Sequence, residues 1–116
     1  MMATPISIAN VARVAVGVVA TLWALLGLGD ALAAATAHGV DAFVMAAIGV
    51  NAALLGGAVM AFAGVGAWRA IVIASMAAVT IDRVISVLGT GDYLLIASSV
   101  AMFVAVLGIA AVARST

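Results

Sequence analysis

The sequence predicts an all-α integral membrane protein, a bundle of four transmembrane helices with both termini in the cytoplasm. Three observations carry this reading. Charged residues occupy 7% of the 116 positions and apolar residues 69%, against about 25% and 45–50% in a soluble domain. The mean hydropathy is +1.47. Glycine-containing breaks divide the chain into four apolar runs, each near the ~20 residues that cross roughly 30 Å of hydrocarbon. Those runs use nearly the whole chain, so residues 1–116 read as one four-span membrane domain with no soluble part.

Span 1 is placed at 11–35, after a short entry that contains Pro5. Arg13, the apolar run and the small residues of Ala31-Leu32-Ala33 and Ala35-Thr36-Ala37 imitate a cleavable secretory signal. The run is long enough to cross a membrane and is expected to stay as a span. Span 2 is placed at 42–65, span 3 at 68–88 and span 4 at 93–113. Ala37-His38-Gly39, Gly64-Val65-Gly66 and Gly89-Thr90-Gly91-Asp92 separate them. Glycine closes helix C-termini, and Asp41 and Asp92 are positioned to cap the helices that follow them. Connections this short make successive helices antiparallel neighbours.

An even number of spans brings both termini to one side. Arg13, Arg69 and Arg114 fall on that side, and Asp30, His38, Asp41 and Asp92 on the other. Positive residues stay inside, so the arginine side is expected to face the cytoplasm of a cell inner (plasma) membrane. Trp68 on the inner side and Phe43 and Tyr93 on the outer side read as interfacial anchors. Trp23 is too deep for that role and is expected to fill space between helices, or against a partner or lipid.

Composition also excludes functions. Without cysteine there are no disulfides, thiolate nucleophiles or Cys-ligated metals. The net charge is zero, with four Arg, four Asp, no Lys and no Glu, so no basic patch exists for nucleic acid. No nucleophile–base pair, phosphate-binding loop or paired carboxylates appear. The chain is therefore expected to be no enzyme and to carry no cofactor or metal. A lone His38 in a loop does not make a metal site, and the scattered methionines Met2, Met45, Met60, Met76 and Met102 read as core filler.

What remains is a small set of polar residues inside the spans. Ser75, Val79, Asp82 and Ser86 share one stripe of span 3, with Thr80, Arg83 and Val87 on the next. A charge at the centre of a span costs roughly 2.5–3.5 kcal/mol on insertion scales, so Asp82 and Arg83 must find compensation. Neighbours in sequence project about 100° apart, so each is expected to seek a partner on another helix. Arg83 lies roughly 8 Å from the outer end of span 3, at the depth of Asp30 on span 1. An Asp30–Arg83 bridge is the leading expectation, with snorkelling of Arg83 or an ion or proton site as the alternatives. Asn51 is expected to join helices rather than bind a ligand. Gly49, Ala53, Gly57 and Ala61 form a small-residue row expected to be a packing seam. Asp30, Asn51, Asp82, Arg83 and Ser86 together form the expected structural polar network.

Two families resemble this chain. In size and span number it is similar to the small multidrug resistance transporters, dimers that exchange cations for protons through a Glu in the first span. This chain has no Glu, and Asp30 sits at the wrong end of span 1 to replace it. Gly49-Val50-Asn51, Gly66 followed by Trp68-Arg69, and Asp82-Arg83-Val84-Ile85-Ser86 ending at Gly89 resemble the small four-helix bacterial membrane proteins related to the DoxX group. That resemblance covers about residues 49–92 and implies a four-helix bundle, sometimes associated with respiratory or redox complexes.

The expected function is an accessory or structural subunit packed among lipid and other membrane subunits, in an energy-transducing assembly. The alternative is a small homo-oligomeric transporter or channel lined by Asp82, Arg83 and Asn51, and a third reading is a redox enzyme subunit that binds quinone or haem near His38.

Overall fold

A computed structural model of the chain describes residues 7–88 and 91–113. Among these residues the secondary structure is entirely helical: α1 (Ile8–His38), α2 (Ala42–Ala63), α3 (Trp68–Val87) and α4 (Tyr93–Ala113). All four are long and apolar enough to cross a membrane. Expectations that involve Met2, Pro5, Gly89, Thr90 and Arg114 lie outside the described residues.

The helix ends follow local chemistry. The Ser7 hydroxyl accepts from the Asn10 amide at 3.0 Å and starts α1 earlier than the apolar run suggested. Asp41 accepts from the Val44 amide at 2.9 Å, and Asp92 from the Leu95 amide at 3.2 Å, so both acids cap as expected. Gly64 ends α2 in the left-handed conformation at φ 74°, which a side chain would strain. α1 has 31 residues, about 46 Å of helix, and continues through His38, which is therefore helical and not in a loop.

The helices form an antiparallel ring in which α1 packs on α2, α2 on α3, α3 on α4 and α4 on α1; α1 and α3 meet only marginally across the middle. The axis is filled by Val16, Ala20 and Ala24 of α1, Leu54 and Ala58 of α2, Val72, Met76 and Val79 of α3, and Val106 of α4. Three of these nine are alanine and four are valine, so the axis is filled by short side chains over which the backbones approach closely.

Two sequence expectations need correction here. Only half of the Gly/Ala row of α2 is a seam: Gly57 and Ala61 are buried, whereas Gly49 and Ala53 face outward. Each four-residue step turns the helix by about 40° beyond a full circle, so a long row at that spacing drifts off the contact face. The buried stripe instead runs through Val44, Asn51, Leu54, Gly57, Ala58 and Ala61. At Gly57 the helices touch: a Cβ there would lie 3.0 Å from a Val72 methyl and 3.3 Å from its Cα.

Trp68 is likewise no interfacial anchor. It is 4% exposed and belongs to the core, with the Arg69 guanidinium 5.7 Å from its ring centre. Phe43 and Tyr93 do stand exposed, each in the first turn of its helix. Arg13 donates to the carbonyls of Ala61 and Phe62 at the C-terminus of α2. That places a cation on unsatisfied carbonyls at the negative end of a helix dipole.

Candidate functional site

Polar residues on all four helices have first to satisfy themselves within the spans. Thr21 and Thr80 donate to the carbonyls of Gly17 and Met76 one turn back, at 2.7 and 2.8 Å. Ser86 donates to the Asp82 carbonyl at 2.8 Å. Such bonds spend the hydroxyl proton on the residue's own helix and leave only the oxygen lone pairs as acceptors. The exceptions gather at one end of the bundle.

There the ring opens into a cleft of about 280 Å³, room for a small organic molecule or several waters. Asp30, Asn51, Asp82, Arg83 and Ser86 all line it, so the five polar residues singled out from the sequence share one site. Phe43, Val44, Ala47, Val87 and Leu95 provide apolar walls. The shape explains the burial of the α3 stripe. Ser75 and Val79 are buried, Asp82 is partly covered and Ser86 is exposed, because the inward face of α3 passes from packed core into the cleft.

Arg83 has the best-defined environment. Its side chain is 12% exposed and lies over the Trp23 indole, with the guanidinium carbon 4.5 Å from the ring centre. Its Nη2 donates to the Trp23 carbonyl at 3.3 Å, and its Nη1 is 4.0 Å from Asp30 Oδ2. The expected Asp30–Arg83 pairing is thus present at the outer limit of an ion pair. The Asp30 side chain is 82% exposed, which makes this a solvated pair of the kind that contributes about 0–1 kcal/mol. A desolvated cation over an indole contributes about 2 kcal/mol. Trp23 is therefore the stronger partner of Arg83, and the sequence reading missed it. The signal was present: Trp23, Gly27 and Asp30 follow i, i+4, i+7 and share one face of α1.

Asn51 is 2% exposed. Its Nδ2 donates to the Ala47 carbonyl at 2.8 Å, on its own helix. It does join helices, but by packing: the amide lies against Gly27 of α1, where any Cβ would overlap its Oδ1. No hydrogen bond crosses from Asn51 to another helix among the described residues. The Oδ1 is buried without a donor.

Three further buried polar atoms lack partners among the described residues: Trp23 Nε1, Arg83 Nε and Ser99 Oγ. Trp23 is one turn below Gly27 and Ser99 one turn below Leu95, both of which line the cleft. Orphaned polar atoms in a bilayer cost several kcal/mol each unless water or a ligand reaches them. Asp82 differs again. No hydrogen bond or ion pair reaches its carboxylate from any described residue, so the expected partner on another helix is not found. His38 is exposed at the end of α1 and is not among the cleft residues. No protein-family model, curated protein or solved structure matches the chain.

Proposed function

We propose that this protein is an accessory subunit of a larger assembly in the cell's inner membrane, and that it contributes a binding cleft and no catalytic centre. One observation carries the reading. Asp30, Asn51, Asp82, Arg83 and Ser86 converge on a cleft that is closed beneath by residues at zero exposure, among them Ala24, Leu54, Met76 and Val79. A blind, partly charged recess suits a group that enters and stays, supplied by a ligand or by a neighbouring subunit. Large apolar side chains on the outside of every helix, such as Leu22, Phe62, Ile81 and Val104, leave the flanks free for lipid and neighbouring helices. The resemblance to DoxX-related proteins supports an energy-transducing, respiratory or redox setting. With Arg13 and Arg69 at one end of the bundle, both termini are assigned to the cytoplasm and the cleft to the outer side.

The second reading is a homo-oligomeric transporter or channel lined by Asp82, Arg83 and Asn51. The shared cleft favours it, but the filled axis gives a single chain no path onward, so copies would have to create one between them. Native electrophoresis of a tagged chain at its natural level in mild detergent separates the two. Migration with heterologous membrane subunits is expected. Migration only as a monomer or homo-oligomer would overturn the subunit reading.

A further inference from the structure

Resting on the reading of the cleft as a binding site, we propose that it takes a primary ammonium group carried on a short apolar stem. In this arrangement Asp82 is the counter-ion and Asn51 Oδ1 a hydrogen-bond acceptor.

The charge balance leads to a cation. Two carboxylates, Asp30 and Asp82, and one guanidinium, Arg83, line the cleft, which leaves one net negative charge. Asp30 and Arg83 already face each other across 4.0 Å. Arg83 is also held against Trp23, by its ring and its carbonyl, and so turns toward α1. The carboxylate left without a hydrogen bond or ion pair among the described residues is that of Asp82, about 7–8 Å from the end of α3. An anionic ligand would meet the Asp82 carboxylate, while Arg83 turns its Nη atoms to Trp23 and Asp30 and keeps its unpartnered Nε buried.

The hydrogen-bond inventory narrows the cation. Asn51 lies almost completely buried in the floor of the cleft, with its Nδ2 engaged. Its unpartnered atom is an acceptor packed against Gly27, which a donor reaches when the amide turns into the cleft. An acceptor asks for an N–H, which a primary ammonium offers three times over and a quaternary ammonium not at all. Quaternary ammonium recognition relies on a cage of open aromatic faces; the Trp23 face is already covered by Arg83, and Phe43 alone is a single aromatic wall. A hard metal cation wants about six oxygen ligands, and among the described residues no three His, Cys, Asp or Glu side chains gather to begin such a shell. The walls made by Phe43, Val44, Ala47 and Leu95 then match a short alkyl stem. A free amine, a lysine side chain of a partner and a phosphatidylethanolamine headgroup all offer this chemistry.

Calorimetric titration of the purified protein in uncharged maltoside micelles tests the proposal, with empty micelles as the blank. The probes are n-butylammonium, butyltrimethylammonium, 1-butanol and butanesulfonate. We expect saturable binding of butylammonium at one site, at least tenfold tighter than any other probe, and at least tenfold weaker binding to Asp82→Asn. Equal binding of the quaternary ion or the alcohol, or unchanged affinity in Asp82→Asn, would overturn the ammonium assignment. If Asp82→Asn does not fold, the ranking of the four probes on the unaltered protein still decides. Saturable binding of butanol or butanesulfonate in place of the amine would overturn the ammonium while leaving the cleft a binding site. No saturable binding of any probe would overturn both. Displacement of bound butylammonium by Nα-acetyl-lysine methylamide would support the proposal with a partner lysine as the source. Displacement by short-chain phosphatidylethanolamine but not phosphatidylcholine would support it with a lipid source, and displacement by neither with a free amine.

Discussion

The guanidinium of Arg83 lies 4.5 Å from the centre of the Trp23 ring, while the nearest Asp30 oxygen is 4.0 Å from its Nη1 and belongs to a side chain that is mostly solvated. The aromatic face holds the arginine inside the bundle, and the acid assists from its edge. This inverts the order suggested by charge alone.

The inversion has a measurable consequence. Trp23→Leu should destabilise the bundle by about 2–4 kcal/mol, through the lost cation–π contact and the lost packing of a large ring. Asp30→Ala should cost less than about 1 kcal/mol, as exposed ion pairs do. Unfolding of each variant in mixed micelles by titration with sodium dodecyl sulfate gives the comparison. A larger loss for Asp30→Ala would show that the acid is the main anchor.

Close approach of α2 and α3 at Gly57 predicts a second effect. Gly57→Leu must displace Val72 and its backbone, at a cost of about 1–3 kcal/mol or more. Gly56, its neighbour, has nothing within 4 Å of an added Cβ. Gly56→Leu should therefore be tolerated, and the pair of thermal unfolding curves in detergent checks the contrast. Equal behaviour of the two variants would place Gly57 outside the contact.

What the sequence disclosed depended on how local the signal was. Helix number, the breaks at Gly39 and Gly64, and the caps Asp41 and Asp92 are set within a few residues of chain, and they were readable. The meeting of Asp30 and Arg83 followed from depth alone, since helical rise converts residue count into distance. Rotation about each helix axis was harder. Whether Gly49 or Asn51 faces α1 depends on packing angles that sequence spacing fixes only over short stretches. The pairing of Trp23 with Arg83 is hidden for the same reason: spacing puts Trp23 on the Asp30 face of α1, but its partner on α3 depends on how two helices across the ring are turned. Trp68 was misread because an aromatic residue at a helix end looks the same from sequence whether it meets headgroups or the neighbouring core.

The arrangement of arginines predicts the topology. The chain has no cysteine, so single cysteines can be introduced without background. His38→Cys and Asp92→Cys should react with an impermeant maleimide in intact cells, whereas Arg69→Cys and Arg114→Cys should react only after permeabilisation. The opposite pattern would reverse the orientation and place the cleft on the cytoplasmic side.

A blind cleft, open to water at one end only, is the central claim, and solvent accessibility along the bundle axis tests it most directly. Ala34 and Ala47 line the cleft, whereas Ala24 and Ala58 lie in the filled axis beneath it. Single-cysteine variants at these four positions would be exposed to a small impermeant thiol reagent from each side of oriented membranes. The account predicts reaction at 34 and 47 from the cleft side alone, and no reaction at 24 or 58 from either side. Modification at 24 or 58, or at 34 and 47 from both sides, would contradict it and indicate a continuous aqueous path.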